Sequence, residues 1–173
     1  IKAEDVNVLT RGTVKSTAKI NPAKVSVSYA NLAASVVEAS LHAIQESYAK
    51  GAKITADSLV IRSLYNVNES EVGYDSTTGK PNVPSVDTAK GAYAAVGAPV
   101  ASGSGVSAQA SSANAVSDST VKAFVEGAVT NVEEQLLVDV FATSYAKAEV
   151  LKPTVDVNLA SAAVVLIESE AKG

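Results

Sequence analysis

The single histidine, His42, stands four residues after Glu38 and one after Leu41. A catalytic imidazole needs a nucleophile and an orienting acid that converge on it, and the neighbouring residues carry no such signature. A solvated or interfacial histidine with an i,i+4 carboxylate is the expected role. With one His and no Cys, the chain offers no multi-histidine or thiolate metal set, no thiol nucleophile and no disulfide. The stretch NVNESEVGYD at 66–75 presents Asn68, Glu69, Glu71 and Asp75 as oxygen donors. It lacks calcium-loop spacing and reads as a solvated turn. Asn68-Glu69-Ser70 matches the glycosylation sequon, a common chance pattern. GSGVSA at 103–108 fits G-x-G-x-x-A, but no strand is expected before it and no acid follows at the βαβ distance, so it reads as a flexible tract. Glu38, Glu46 and Asp57 lie in or between apolar positions, where packing against another chain would make assembly sensitive to pH. No catalytic residue, cofactor site or metal site is expected, and the chain reads as a non-enzyme.

The elements that would position these residues are built from small side chains. Of 173 residues, 47% are hydrophobic but only 5% aromatic, with no Trp, so Ala and Val dominate. Such side chains bury little area each. Stability must come from close approach of long elements, or from neighbouring copies that cover what one copy leaves exposed. The length suits one domain, 1–173. A net charge of -4 with 14 scattered Lys and Arg argues against phosphate-neutralising contact with nucleic acid. No apolar run approaches the roughly 20 residues of a membrane span. The absence of Met, even at position 1, leads to the expectation that an initiator or leader has been removed.

Spacing predicts a mainly α fold. Asn21 caps Pro22, and Tyr29, Leu32, Ala33, Val36, Val37, Leu41, Ile44 and Tyr48 recur at steps of three and four, one helical stripe. The pattern resumes after Gly51 through Leu64 and Tyr65, so a helix over about 22–65 is expected, whole or broken at Gly51. Residues 66–117 are rich in Gly, Ser and Pro and are expected to form a long loop, with a short helix around Ser85 to Val96. A second long helix is expected over about 118–152, capped at Ser117 or Asp118, carrying Val125, Val132, Leu136 and Val140, and stopped by Pro153. The tail alternates at Val155, Val157 and Leu159 and is expected to enter as a strand and continue as a helix. SYAK occurs at 47–50 and again at 144–147, a weak internal echo.

Residues 5–70 resemble the RebB-like proteins, the killing-trait family that builds bacterial R-bodies. Thr10 and Lys15 end TRGTVK, Pro22-Ala23 follow, Tyr29 heads the expected helix, and Leu64-Tyr65-Asn66-Val67-Asn68 closes it. Arg11, Thr13, Ser28 and Asn68 depart from the family's pattern, Gln45 is a lone glutamine where the family has a cluster, and residues 71–173 have no counterpart. The resemblance implies a structural protein that polymerises into ribbons, rolled up as bacterial cytoplasmic inclusions and extended by a change in conditions such as acidity.

The expected function is therefore a self-assembling structural subunit whose partners are copies of itself or closely related subunits. Its interface is expected at Tyr29, Leu32, Val36, Leu41, Ile44, Tyr48, Leu64, Tyr65, Val125, Val132, Leu136 and Val140. One alternative is a coat, tube or extracellular filament subunit unrelated to R-bodies. The other is a membrane- or ligand-binding module using the amphipathic segment 22–50, against which stands its shortage of Lys and Arg.

Overall fold

The computed structural model describes residues 1–21, 24–25, 30–97, 100–101, 106–151 and 161–172, and among these there is no α-helix. The mainly α expectation is overturned. The segment read as a helix over 22–65 holds strands β3 (Lys24–Val25), β4 (Ala30–Lys50) and β5 (Lys53–Tyr65). The segment read as 118–152 is the end of β8 (Val106–Glu126), then β9 (Val129–Ala142) and β10 (Ala146–Leu151). The expected long loop contains β6 (Gly91–Gly97), where a short helix was expected, β7 (Val100–Ala101) and the start of β8. β11 (Ser161–Lys172) is a strand where the tail was expected to turn helical, while Val155 to Leu159 lie outside the described residues. The amphipathic-helix reading of 22–50 falls with the first helix.

β1 (Lys2–Gly12) and β2 (Lys15–Ile20) complete a flattened parallel β-solenoid. Strand order is β1-β5-β9, β2-β6-β10, β4-β8-β11 and β3-β7, and every one of these pairings is parallel. The first coil runs from β1 through β4, the second from β5 through β8, and the third from β9 through β11. Lys2 pairs with Thr55 and Ala92 with Ala146, so a plain coil takes 53 or 54 residues. Lys15 pairs with Gly91 and Ala30 with Val106, 76 residues apart, because an insertion, 66–90, stands out from the second coil. The SYAK echo follows neither spacing: it puts Leu41 on β4 beside Val138 on β9, two strands of different sheets.

The long sheet β4-β8-β11 faces the other two three-stranded sheets across a core of small side chains. On β4, Val37, Ala39, Leu41, Gln45, Ser47 and Ala49 are buried, while Val36, Glu38, Ser40, His42, Ile44, Glu46, Tyr48 and Lys50 are exposed. This alternation has period two, and the steps of three and four on which the helix reading rested mix residues from both faces. The corners between facing sheets recur at the same rung, Gly51 and Gly127, each with φ +59, a left-handed conformation that costs glycine little.

Columns of equivalent positions run through the coils. Leu59 and Ile61 of the second coil are 0% exposed, sandwiched by the first and third coils, whereas their third-coil partners Leu136 and Val138 are 55% and 40% exposed. Leu59→Ala should therefore cost about 2–5 kcal/mol, and Leu136→Ala less than about 1.5 kcal/mol because much of that side chain is already in water. Urea denaturation of dilute protein checks the difference, and equal losses would contradict the three-coil stack.

Candidate functional site

The outer face of β4 and β8 carries a ladder of rung partners. His42 Nδ1 lies 3.8 Å from Asp118 Oδ2, Lys122 Nζ 3.5 Å from Glu46 Oε1, and Lys50 Nζ 3.0 Å from Glu126 Oε2. Tyr48 stacks on Phe124 with centroids 5.2 Å apart. His42 thus sits in a surface pair on a flat sheet, with more than half of both side chains in solvent. Each exposed pair contributes little, about 0–1 kcal/mol, but their identity fixes which rungs meet.

Several interior polar groups are paired across the core, whereas Asn66 Nδ2, Ser111 Oγ and Asn114 Oδ1 are buried without a partner. Gln45, from β4, donates through Nε2 to Ser63 Oγ and the Leu64 carbonyl, each at 2.9 Å. Its side chain fills the space beside Gly12, where a Cβ would collide with Oε1. Ser119 Oγ donates to the buried Tyr65 hydroxyl at 2.9 Å. These bonds cross between facing sheets and cost little because both partners are satisfied. A small cleft of about 140 Å³, lined by Tyr65, Val121, Val140 and Thr143 among others, opens beside the third coil. It lies beyond the rung of Asp118, where β11 ends at Lys172.

The insertion is anchored to the outside of the coils. Arg62 donates through Nε and Nη2 to the two carboxylate oxygens of Asp139, its rung partner, at 2.8 and 2.7 Å. Tyr74, from the insertion, donates to Asp139 Oδ2 at 3.1 Å and meets Phe141 edge-on. The guanidinium also lies 5.6 Å from the Phe141 ring centre, within cation–π range. The Asp139 hydrogen bond raises the Arg62 pKa against the opposing effect of burial, and burial with the same carboxylate raises that of Tyr74. Of the residues considered as cation ligands, Glu69 pairs with Arg11 and Glu71 accepts from the Ser85 amide and hydroxyl. Asp75 accepts from the Thr77 and Thr78 amides. Among the described residues no group of three or more acidic or histidine side chains surrounds one point. A separate outer cluster joins Tyr93 and Lys147 to Glu149, whose pKa is lowered first by the Lys147 bond and then by Tyr93.

The expected interface residues divide between inside and outside. Val36, Ile44 and Tyr48 are exposed on the outer face, while Leu41 and Tyr65 are buried in the core. Leu64 is also buried, on the outward side of β5, and its rung partner Phe141 packs under Tyr74. Leu136 and Val140 are exposed core positions of the third coil, Val125 is exposed near the corner, and Val132 packs partly on the core. Leu32 pairs with Ala108 on β8, and Tyr29 lies outside the described residues. Sequence reasoning missed Arg62, Asp139 and Glu149, whose meaning comes from rungs 54 to 77 residues apart. A search for Gly-terminated strands at equal register, such as AKG at 49–51 and VEG at 125–127, was the available signal.

No family model, curated protein or solved structure matches the chain. Among the described residues no helix is long and apolar enough to cross a membrane, which agrees with the sequence expectation of no helical span.

The insertion carries three carboxyls with lowered pKa values. Hydrogen bonds from Ser85 hold Glu71 below its ordinary 4.5, and those from Thr78 and Ala89 hold Asp75 and Asp87 below 3.8. Their contribution is complete above the ordinary carboxylate values and is lost as pH falls through the lowered ones. Protease cleavage within 66–90 should therefore rise below about pH 4 before the coils unfold. Simultaneous loss of the coil circular-dichroism signal and of the insertion would contradict this order.

Proposed function

We propose that this chain is a non-enzymatic structural subunit, a β-solenoid that assembles with copies of itself. The observation that carries the reading is the state of the third coil: Leu136, Val138 and Val140 are 40–55% exposed although their second-coil equivalents are wholly buried. Among the described residues, β9, β10 and β11 have no strand partner on their outer edges, nor do β1, β2 and β4 at the other side of the stack. Long parallel edges with free N–H and C=O groups are templates for another chain. The ionic and aromatic pairs on the outer face of β4 and β8 join rung to rung, as a stacking architecture requires.

The ribbon-forming role implied by the resemblance to RebB-like proteins is retained only as a proposed form of such an assembly. Its ground is now strand stacking, because Leu64-Tyr65 closes a strand here. A coat, tube or filament subunit outside the cell remains the second form. Val36, Ile44 and the Tyr48–Phe124 stack, exposed on one flat face, favour it by offering lateral contact.

Light scattering and electron microscopy of purified protein should show assemblies, and oriented material should diffract at about 4.7–4.8 Å along the long axis. A monodisperse monomer at high concentration would refute the proposal. Leu41→Asp should abolish folding, since it buries an unpaired charge, whereas Val36→Asp should fold normally and impair only lateral contact. Folding loss in both variants would contradict the placement of Val36 on the outer face.

A further inference from the structure

We propose that copies stack head to tail along the solenoid axis, the third coil of one receiving the first coil of the next in the same parallel register that joins coils within a chain. This rests on the structural-subunit reading above and adds its polarity and register.

Two observations select a second copy as the occupant. First, the columns continue. Val6, Leu59 and Leu136 form one column, and Val8, Ile61 and Val138 another, so the first coil of an incoming copy lays Val6 and Val8 against the apolar side chains that the third coil exposes. Second, the ends are oppositely charged. Residues 1–50 hold six Lys and Arg against four Asp and Glu, whereas residues 129–173 hold three against seven. A symmetric tail-to-tail contact would oppose two acidic coils, and head-to-tail contact pairs basic with acidic.

The charge match is specific at one rung. Lys19, Ala95 and Glu149 share a column across β2, β6 and β10, so within one chain the two charges stand two strand spacings apart, about 9.5 Å. In the stack, Glu149 of one copy meets Lys19 of the next at a single spacing. Two rungs are unfavourable: Glu168 against Glu38, aligned through Asn114, and Glu4 against the Glu133–Glu134 bulge, aligned through Asp57.

The chain has no cysteine, so introduced thiols report without background. Asn7, Val60 and Leu137 share a column, and the first and last are too far apart within one chain for a disulfide, whose Cα atoms must lie within about 7 Å. Mixing Asn7→Cys with Leu137→Cys under mild oxidation should give a covalent dimer, and the double variant a ladder of higher multimers. Dimers formed mainly by either single variant alone would overturn the polarity. Assemblies seen by microscopy without a 7–137 crosslink would overturn this inference and leave the structural reading intact, whereas a strictly monomeric protein would overturn both. As a second measurement, Lys19→Glu should raise the concentration needed for assembly several-fold and Lys19→Glu with Glu149→Lys should restore it; failure of rescue would contradict the register.

Discussion

The structure depends on one constraint: the backbone groups of each coil are paired with those of its neighbouring coils. In a parallel ladder the partner of a residue is fixed by register, so every side chain must suit the residues one coil away. That requirement explains why Glu46 faces Lys122, why Tyr48 lies flat on Phe124, and why Arg62 grips Asp139 with both of its forks. It also explains the insertion. Residues 66–90 leave the second coil and return at Gly91, so that β2 and β6 meet in register despite their separation in sequence.

Small side chains suit this architecture. Opposing sheets of a flattened coil can approach closely when their inward positions are Ala, Ser and Val, and the central core is lined by Ala39, Ala92, Ala94, Ala113 and Ala115. Larger groups appear where a neighbour yields space: Gln45 reaches across only because residue 12 is glycine, and Tyr65 reaches Ser119 across the core. Hydrophobic stabilisation is therefore spread over many modest contacts, and the continuous hydrogen-bonded ladder supplies the geometric precision.

The small-residue composition that lines the core was legible in the sequence. The secondary structure was not. Alanine has the highest helix propensity, and Val37, Leu41, Ile44 and Tyr48 fall at helical intervals, so local preference pointed away from the fold. The competing alternation of Val37, Ala39, Leu41, Ala43, Gln45, Ser47 and Ala49 was masked because Ala and Ser are neither clearly apolar nor clearly polar. In a repeat architecture the deciding contacts are between coils, and the insertion breaks the regular period that would have announced them. Asp139 could not be recognised as an anchor until its rung brought it beside Arg62 and Tyr74.

A stack of coils gains stability from each neighbour it acquires, in the manner of a one-dimensional array. Among the described residues, the second coil has neighbours on both sides and holds the wholly buried Leu59 and Ile61, while the first and third each have one. The same step that relates one coil to the next is a translation along the axis. An interface that repeats this step joins unlike ends and does not close into a ring, so it generates open filaments. The contrast between a basic first coil and an acidic last coil makes such an interface directional, and the matched columns make it continuous with the interior of the chain. In the proposed stack, association between copies would extend the same ladder that joins the coils within a copy.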